Sequence, residues 1–239
     1  MQPNPGIPLN WRRLALAALI AMGAYLAVSY FLAPAIWRLV EHRHPALSTV
    51  ATRAVTAAGI PGDPLNIAFV GSEADLHRAL LQAAWNPADP ITLRTSLRIA
   101  TASVLHRPYE EAPVSDLYVW GRVQDYAFEQ QVGHDPRHRH HVRFWRSNEL
   151  DDQGRPLWIG AATLDTRVGF SHTTGQVTHH IDGAIDAERD KLVSDLAGQA
   201  GITVTWIEAF QADRTGRNGG GDPFFTDGRL AVLTSPPPP

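Results

Sequence analysis

The chain has 239 residues, 44% of them apolar and 8% aromatic, enough for one globular domain with a sizeable core plus attachments. It contains no cysteine, which excludes disulfides, thiolate nucleophiles and any cysteine-ligated zinc site. Five of the 21 basic residues and one of the 24 acidic ones precede Asp63, leaving 16 against 23 from there on. A domain that acidic lacks the basic footprint of a nucleic-acid binder.

Residues 1–11 read as a polar, proline-bearing tail and 12–37 as a transmembrane helix. Leu14 to Trp37 is 24 residues without a charge, against roughly 20 needed to cross a bilayer. A cleavable signal peptide fits less well, because its apolar region is usually about 7–15 residues and Pro34 sits badly beside a cleavage site. Trp11, Tyr30 and Trp37 stand near the ends as interfacial aromatics. Arg12, Arg13 and the amino terminus precede the span, whereas Arg38 and Arg43 follow it, offset by Glu41. That balance predicts a single-pass inner-membrane protein with its C-terminal domain in the periplasm.

Residues 38–62 read as a helical stalk, broken at Pro45 and stopped by Gly59-Ile60-Pro61-Gly62-Asp63-Pro64. The globular domain is expected over 63–234, followed by a disordered proline tail at 235–239. Asn66–Val70 reads as a buried strand, and Ser72-Glu73-Ala74-Asp75 as a capping box opening a helix. Asp89-Pro90 opens a second helix, with Leu93, Leu97, Ala100 and Val104 as its stripe. From Ser115 the pattern alternates. Strands are expected over Leu117–Phe128, Arg139–Arg146 and Pro156–Val168, the last two joined by a turn at Asp151–Gly154. Asp186 reads as the cap of a third helix reaching Ala200, and strands follow at Thr203–Phe210 and Arg229–Leu233. Strands without regular helical crossovers predict an α+β fold, a mainly antiparallel sheet with about three packing helices.

Two segments hold six of the eleven histidines: His138-Arg139-His140-His141-Val142-Arg143-Phe144-Trp145 and Ser171-His172-Thr173-Thr174-Gly175-Gln176-Val177-Thr178-His179-His180-Ile181-Asp182. Strand alternation puts His141 and Arg143 on one face and His140 on the other, and likewise pairs His180 with Asp182 opposite His179. His141, His180 and Asp182 are therefore the candidate ligands of a divalent metal such as zinc, which takes His and Asp donors with one position open. His140, Arg143, His172 and His179 form the surrounding ligand-binding or hydrogen-bonding network; the alternative is that the histidines are structural. Arg137, Arg139, Arg143 and Arg146 offer a bidentate clamp for a phosphate or headgroup, set against a solvated basic loop. Gly216–Gly221 lacks the Lys-Ser/Thr ending of a phosphate-binding loop, and Ser171 beside His172 makes no triad by adjacency.

Arg139–Trp145 with its spacing to Gly160-Ala161-Ala162-Thr163, Thr174–Asp182, Asp186–Asp190 and Gly219-Gly220-Gly221-Asp222-Pro223 resembles the LssY C-terminal domain family. The likeness covers about Gly62 to Leu233. It implies a bacterial envelope domain, often joined to multipass membrane modules that include lipid-phosphatase-like ones. It carries over no catalytic residue. The chain departs from such fused forms: it has one span, no Pro-Ser-Gly-His element, and only Lys191 for a Lys-to-Arg-Pro element. The resulting expectation is a membrane-anchored envelope domain that binds a partner, including envelope membrane proteins, or a small ligand through its histidine face. The alternative is a metal-dependent hydrolase using the same face.

Overall fold

A computed structural model describes residues 11–33, 35–36, 52–88, 116–133, 138–199 and 201–237. The uncharged N-terminal run forms α1 (Trp11–Ala27), which continues through a π-helical turn at Val28–Leu32. These 22 residues are long and apolar enough to cross a membrane, and nearly all of their surface is uncovered. In the π turn the Ala33 N–H reaches back to the Val28 carbonyl. The Ser29 carbonyl thereby loses its α-helical donor, and residue 34, where a π pattern would next look, is a proline with no N–H. Gln176 Nε2 donates to that carbonyl at 2.8 Å. Tyr25 Oη donates to the Gly175 carbonyl at 2.6 Å, and its ring meets Phe170 edge-on with centroids 6.1 Å apart.

The stalk expected over 38–62 lies largely outside the described residues, and its end is extended, not helical. β1 (Arg53–Val55) pairs antiparallel with β2 (Pro61–Pro64) around a turn in which Gly59 has φ +81°. Pro61 and Pro64 oppose a helix, and Ala54 is buried in the sheet's apolar layer. The long strand expected from Leu117 is split as well. β5 (Tyr118–Val119) turns straight back into β6 (Arg122–Val123) through Trp120 (φ +53°) and Gly121 (φ +75°), the two positive φ values of a tight hairpin, before β7 (Tyr126–Gln131).

The large sheet is built on two long strands, β8 (Arg139–Leu150) and β9 (Pro156–Phe170). β7 lies outside β8, and the short β4 (Asn86–Pro87) outside β7. The other edge of β9 is shared. β3 (Ile67–Val70) takes residues 157–160, and β10 (Val177–Ile181) takes 165–170. β14 (Leu230–Thr234) pairs parallel with β3, and β11 (Thr203–Ile207) closes that side antiparallel. Every other pairing between strands of the described residues is antiparallel, so the fold is α+β with a mainly antiparallel sheet.

Two helices cover one face. α2 (Glu73–Gln82) opens with the expected capping box, Ser72 and Asp75 each bonding the other's backbone N–H. α3 (Ile185–Ala197) begins one residue before Asp186, whose carboxylate serves Thr226, Arg189 and the Asp227 N–H. The helix expected from Asp89 lies outside the described residues. Leu76, Leu80, Leu192 and Leu196 pack on Val142, Phe144, Trp158 and Trp85. On the opposite face the small sheet β2-β1-β5-β6 brings Ala54, Leu117 and Val119 onto Trp145, Ile159 and Ala161.

Between β3 and β10 the ladder on β9 is interrupted, and a side chain bridges the gap. Asn66 Nδ2 donates to the Ala162 carbonyl (2.9 Å) and to Ile185's (3.3 Å), while its Oδ1 accepts from the Ala162 N–H at 2.8 Å. Asn66→Ala should orphan these buried backbone groups and lower stability by on the order of 3 kcal/mol in urea unfolding. A loss below about 0.5 kcal/mol would mean the gap closes without it.

Candidate functional site

β8 alternates as its sequence requires. His140 faces the helices, its Nδ1 2.7 Å from Glu188 Oε2. Arg139, His141, Arg143 and Trp145 face the small sheet. Here the apolar layer gives way to a buried chain of charges. Arg139 Nη1 lies 2.8 Å from Glu129 Oε2 and its Nε donates to Asp165 Oδ2 at 3.2 Å. His141 Nδ1 is 3.2 Å from the same Asp165 oxygen, and its Nε2 sits 2.6 Å from Thr163 Oγ1 and 2.8 Å from Arg143 Nη1. A guanidinium only donates, so the Nε2 lone pair faces Arg143 and the ring proton on Nδ1 faces Asp165. Arg143 Nη1 also bonds Asp63 Oδ2 at 3.1 Å, and Asn218 Nδ2 donates to Asp63 Oδ1 at 3.3 Å.

Part of this chain of charges lines a cavity of about 390 Å³. His141, Arg143, Asp165 and His179 line it from the large sheet, Asp63 of β2 and the residues leading into β5, Asp116 and Leu117, from the small sheet, and Asn218–Gly220 from the loop between β12 (Thr215–Arg217) and β13 (Pro223–Phe225). Tyr30 of the N-terminal helix belongs to the lining too. Burial opposes the charge on Asp165, yet His141, His179 and Arg139 around it hold its carboxyl far below the usual carboxylate range. Burial pushes His179 down to about 4 against the pull of Asp165, with Arg139, His141 and Arg143 adding to the lowering. His179 is therefore neutral near pH 7, and its Nε2, 3.3 Å from Arg139 Nη2, is the acceptor of that pair.

His180 belongs elsewhere. β10 carries a register shift between His180 and Ile181 and ends there. The extra residue of this bulge, Thr166, is on β9, and the alternation that pairs His180 with Asp182 stops with β10, one residue short of Asp182. Asp182 is exposed and accepts the Ala184 N–H at 2.8 Å in the turn before α3. His180 is buried with Nδ1 2.6 Å from Asp222 Oδ1, and its ring centroid is 5.1 Å from that of His172. His172, His180 and Asp222 each offer a ligand atom within 4.8 Å of the others, a group of the kind that could hold a metal ion. Of the three expected ligands His141, His180 and Asp182, that group contains His180 alone. Asp222 was legible only as part of the glycine-rich loop; no spacing ties it to histidines 42 and 50 residues away.

Two of the four arginines of the expected clamp are engaged internally. Arg139 and Arg143 are buried in the ion pairs above, Arg146 lies over the Trp158 ring at 6.0 Å, and Arg137 falls outside the described residues. The only lysine, Lys191, bonds Gln130 and Asp195 on the helical side.

The family described as LssY C-terminus matches residues 46–230, taking in β1 and everything through the first residue of β14. The chain belongs to this family. No curated protein matches it, and no solved structure does. The LssY C-terminal match starts before the turn at Gly59, in agreement with β1 being part of the folded unit.

Two outcomes follow from the charge chain. Arg143→Met should leave Asp63 buried without its ion-pair partner, destabilising the chain by about 3–5 kcal/mol in urea unfolding. The folded-state pKa of Asp165 is depressed, so the unfolded chain takes up that proton first, near pH 3.9. Its contribution is present above that pH and fades below it. The stability gap between the wild type and Asp165→Asn should therefore be constant from pH 7 to 5 and narrow as the pH falls towards 3. A gap that widens on acidification would contradict the ionised assignment.

Proposed function

We propose that this is a membrane-anchored envelope module that binds a small, hydrogen-bond-donating ligand in the cavity between its small four-stranded sheet and its large sheet. One observation carries the reading. Asp165 is 1% exposed and lines the cavity, and its Oδ1 has no hydrogen-bond partner among the described residues. A buried carboxylate oxygen is satisfied in nearly every folded protein, so a donor belongs there. With His179 neutral, the acidic Asp63, Asp116 and Asp165 outnumber Arg143 around the cavity. That balance favours a hydroxylated or cationic ligand over a phosphate.

Envelope placement draws on the apolar helix and on the family resemblance, and the N-terminal arginines favour the periplasmic side. The second reading, a metal-dependent hydrolase, is favoured by the His172, His180 and Asp222 group, since three protein ligands with an open position suit metal-activated water.

The ligand reading predicts binders in a ligand-observed NMR screen of the full chain in micelles against polyols, amines and phosphorylated counterparts. Neutral or cationic donors should bind, and Ala57→Phe at the cavity wall should displace them. Binding confined to phosphorylated compounds, or indifferent to Ala57→Phe, would overturn it. For topology, alkaline phosphatase fused after Leu233 should be active in a bacterial host; an inactive fusion beside a fluorescent cytoplasmic one would reverse the orientation.

A further inference from the structure

The Ser171–Gln176 turn and the Asn218–Asp222 loop both contribute to the cavity lining, and they also meet each other. His172 N–H donates to the Gly220 carbonyl at 2.8 Å, which ties the turn to the loop. We propose that His172, His180 and Asp222 form a binding site for one divalent transition-metal ion, zinc by donor type. Two imidazole nitrogens and one carboxylate oxygen, without sulfur, suit zinc and leave its fourth position open.

The backbone is arranged around these three donors. Gly221 has φ +87°, and a Cβ there would stand 2.7 Å from the His172 Cβ. At Gly169 a Cβ would stand 2.7 Å from His180 Nε2, so only glycine lets the His180 ring lie across β9. Asp222 is held from three sides: Oδ2 accepts the Ile181 N–H at 3.2 Å, its own N–H donates to Asn218 Oδ1 at 2.9 Å, and Oδ1 meets His180. Two of the donors are thus buried and fixed, and the third, His172, is exposed and free to close. Bonds of about 2.0–2.2 Å to zinc place donor atoms about 3–4 Å apart. The three atoms, all within 4.8 Å, need movements of about an ångström: His172 approaches, and the 2.6 Å contact of His180 with Asp222 opens to admit the ion.

The site lies at an open groove that Arg167, Arg217 and Thr166 also line. It is distinct from the Asp165 cavity and does not depend on what that cavity binds. Adjacent residues of β10 serve the two: His179 lines the cavity, and His180 faces the groove.

The test uses the full chain in detergent micelles, without a histidine tag, stripped with chelator and titrated with Zn²⁺ by calorimetry and with Co²⁺ by visible absorption. One ion per chain is expected, with Co²⁺ giving the intense bands of a four-coordinate site. His172→Ala, an exposed change that spares the fold, should weaken Zn²⁺ binding by more than about tenfold. His141→Ala should bind as the wild type does, with unfolding curves confirming that both variants are folded. No uptake by the wild type at micromolar Zn²⁺, undiminished uptake by His172→Ala, or loss in a folded His141→Ala would each overturn the proposal.

Discussion

The ion pair between Arg139 and Asp165 sits where three strands share one row. Arg139 on β8 opposes Asp165 on β9, and Asp165 opposes Ile181 on β10. Both side chains are almost wholly buried. Slipping either strand by one residue would turn one partner to the other face and leave its mate alone, a penalty of several kcal/mol. The pair therefore selects register where apolar packing alone would discriminate less, since Val142, Phe144 and Ala162 tolerate displacement better than an arginine does. Everything polar on that face follows from the row: His141 leans on Asp165, Arg143 on His141, and Asp63 on Arg143.

Much of this was legible in the residues. Alternation along Arg139–Trp145 identified which side chains share the polar face, because β8 is long and its apolar members mark the core. The capping box at Ser72 and the turn at Asp151–Gly154 carry their own local chemistry, so they were readable as well. What failed to show was where alternation stops. A strand ending at Ile181 leaves no mark in a sequence of β-formers, and it takes Asp182 out of the row that His180 belongs to. The end of the stalk is extended for a related reason: Arg53–Val55 has no strong period, and its strand identity comes from Pro61–Pro64 across the turn.

Long-range partners were the other gap. Asp165 lies in an apolar run where a single carboxylate gives no sign of its neighbours, and Asp222 looks like loop punctuation. Both matter because of residues 26 and 42 positions away. Charge patterning reads helix faces and strand faces, whereas a contact between separate strands depends on topology that pattern alone leaves undetermined.

The carbonyl of Ser29 shows what the π turn does for the rest of the molecule. A carbonyl without a donor is poorly tolerated in hydrocarbon, and here the missing donor comes from Gln176 at the tip of the β9–β10 hairpin. With the helix in a bilayer, Tyr30 near its end would stand at the level of the lipid headgroups. The domain would then lie against the surface instead of swinging on a leash. Molecules reaching its cavity would be drawn from the crowded layer next to the lipids, so that their density per unit area, more than their bulk concentration, would set how often the cavity is filled.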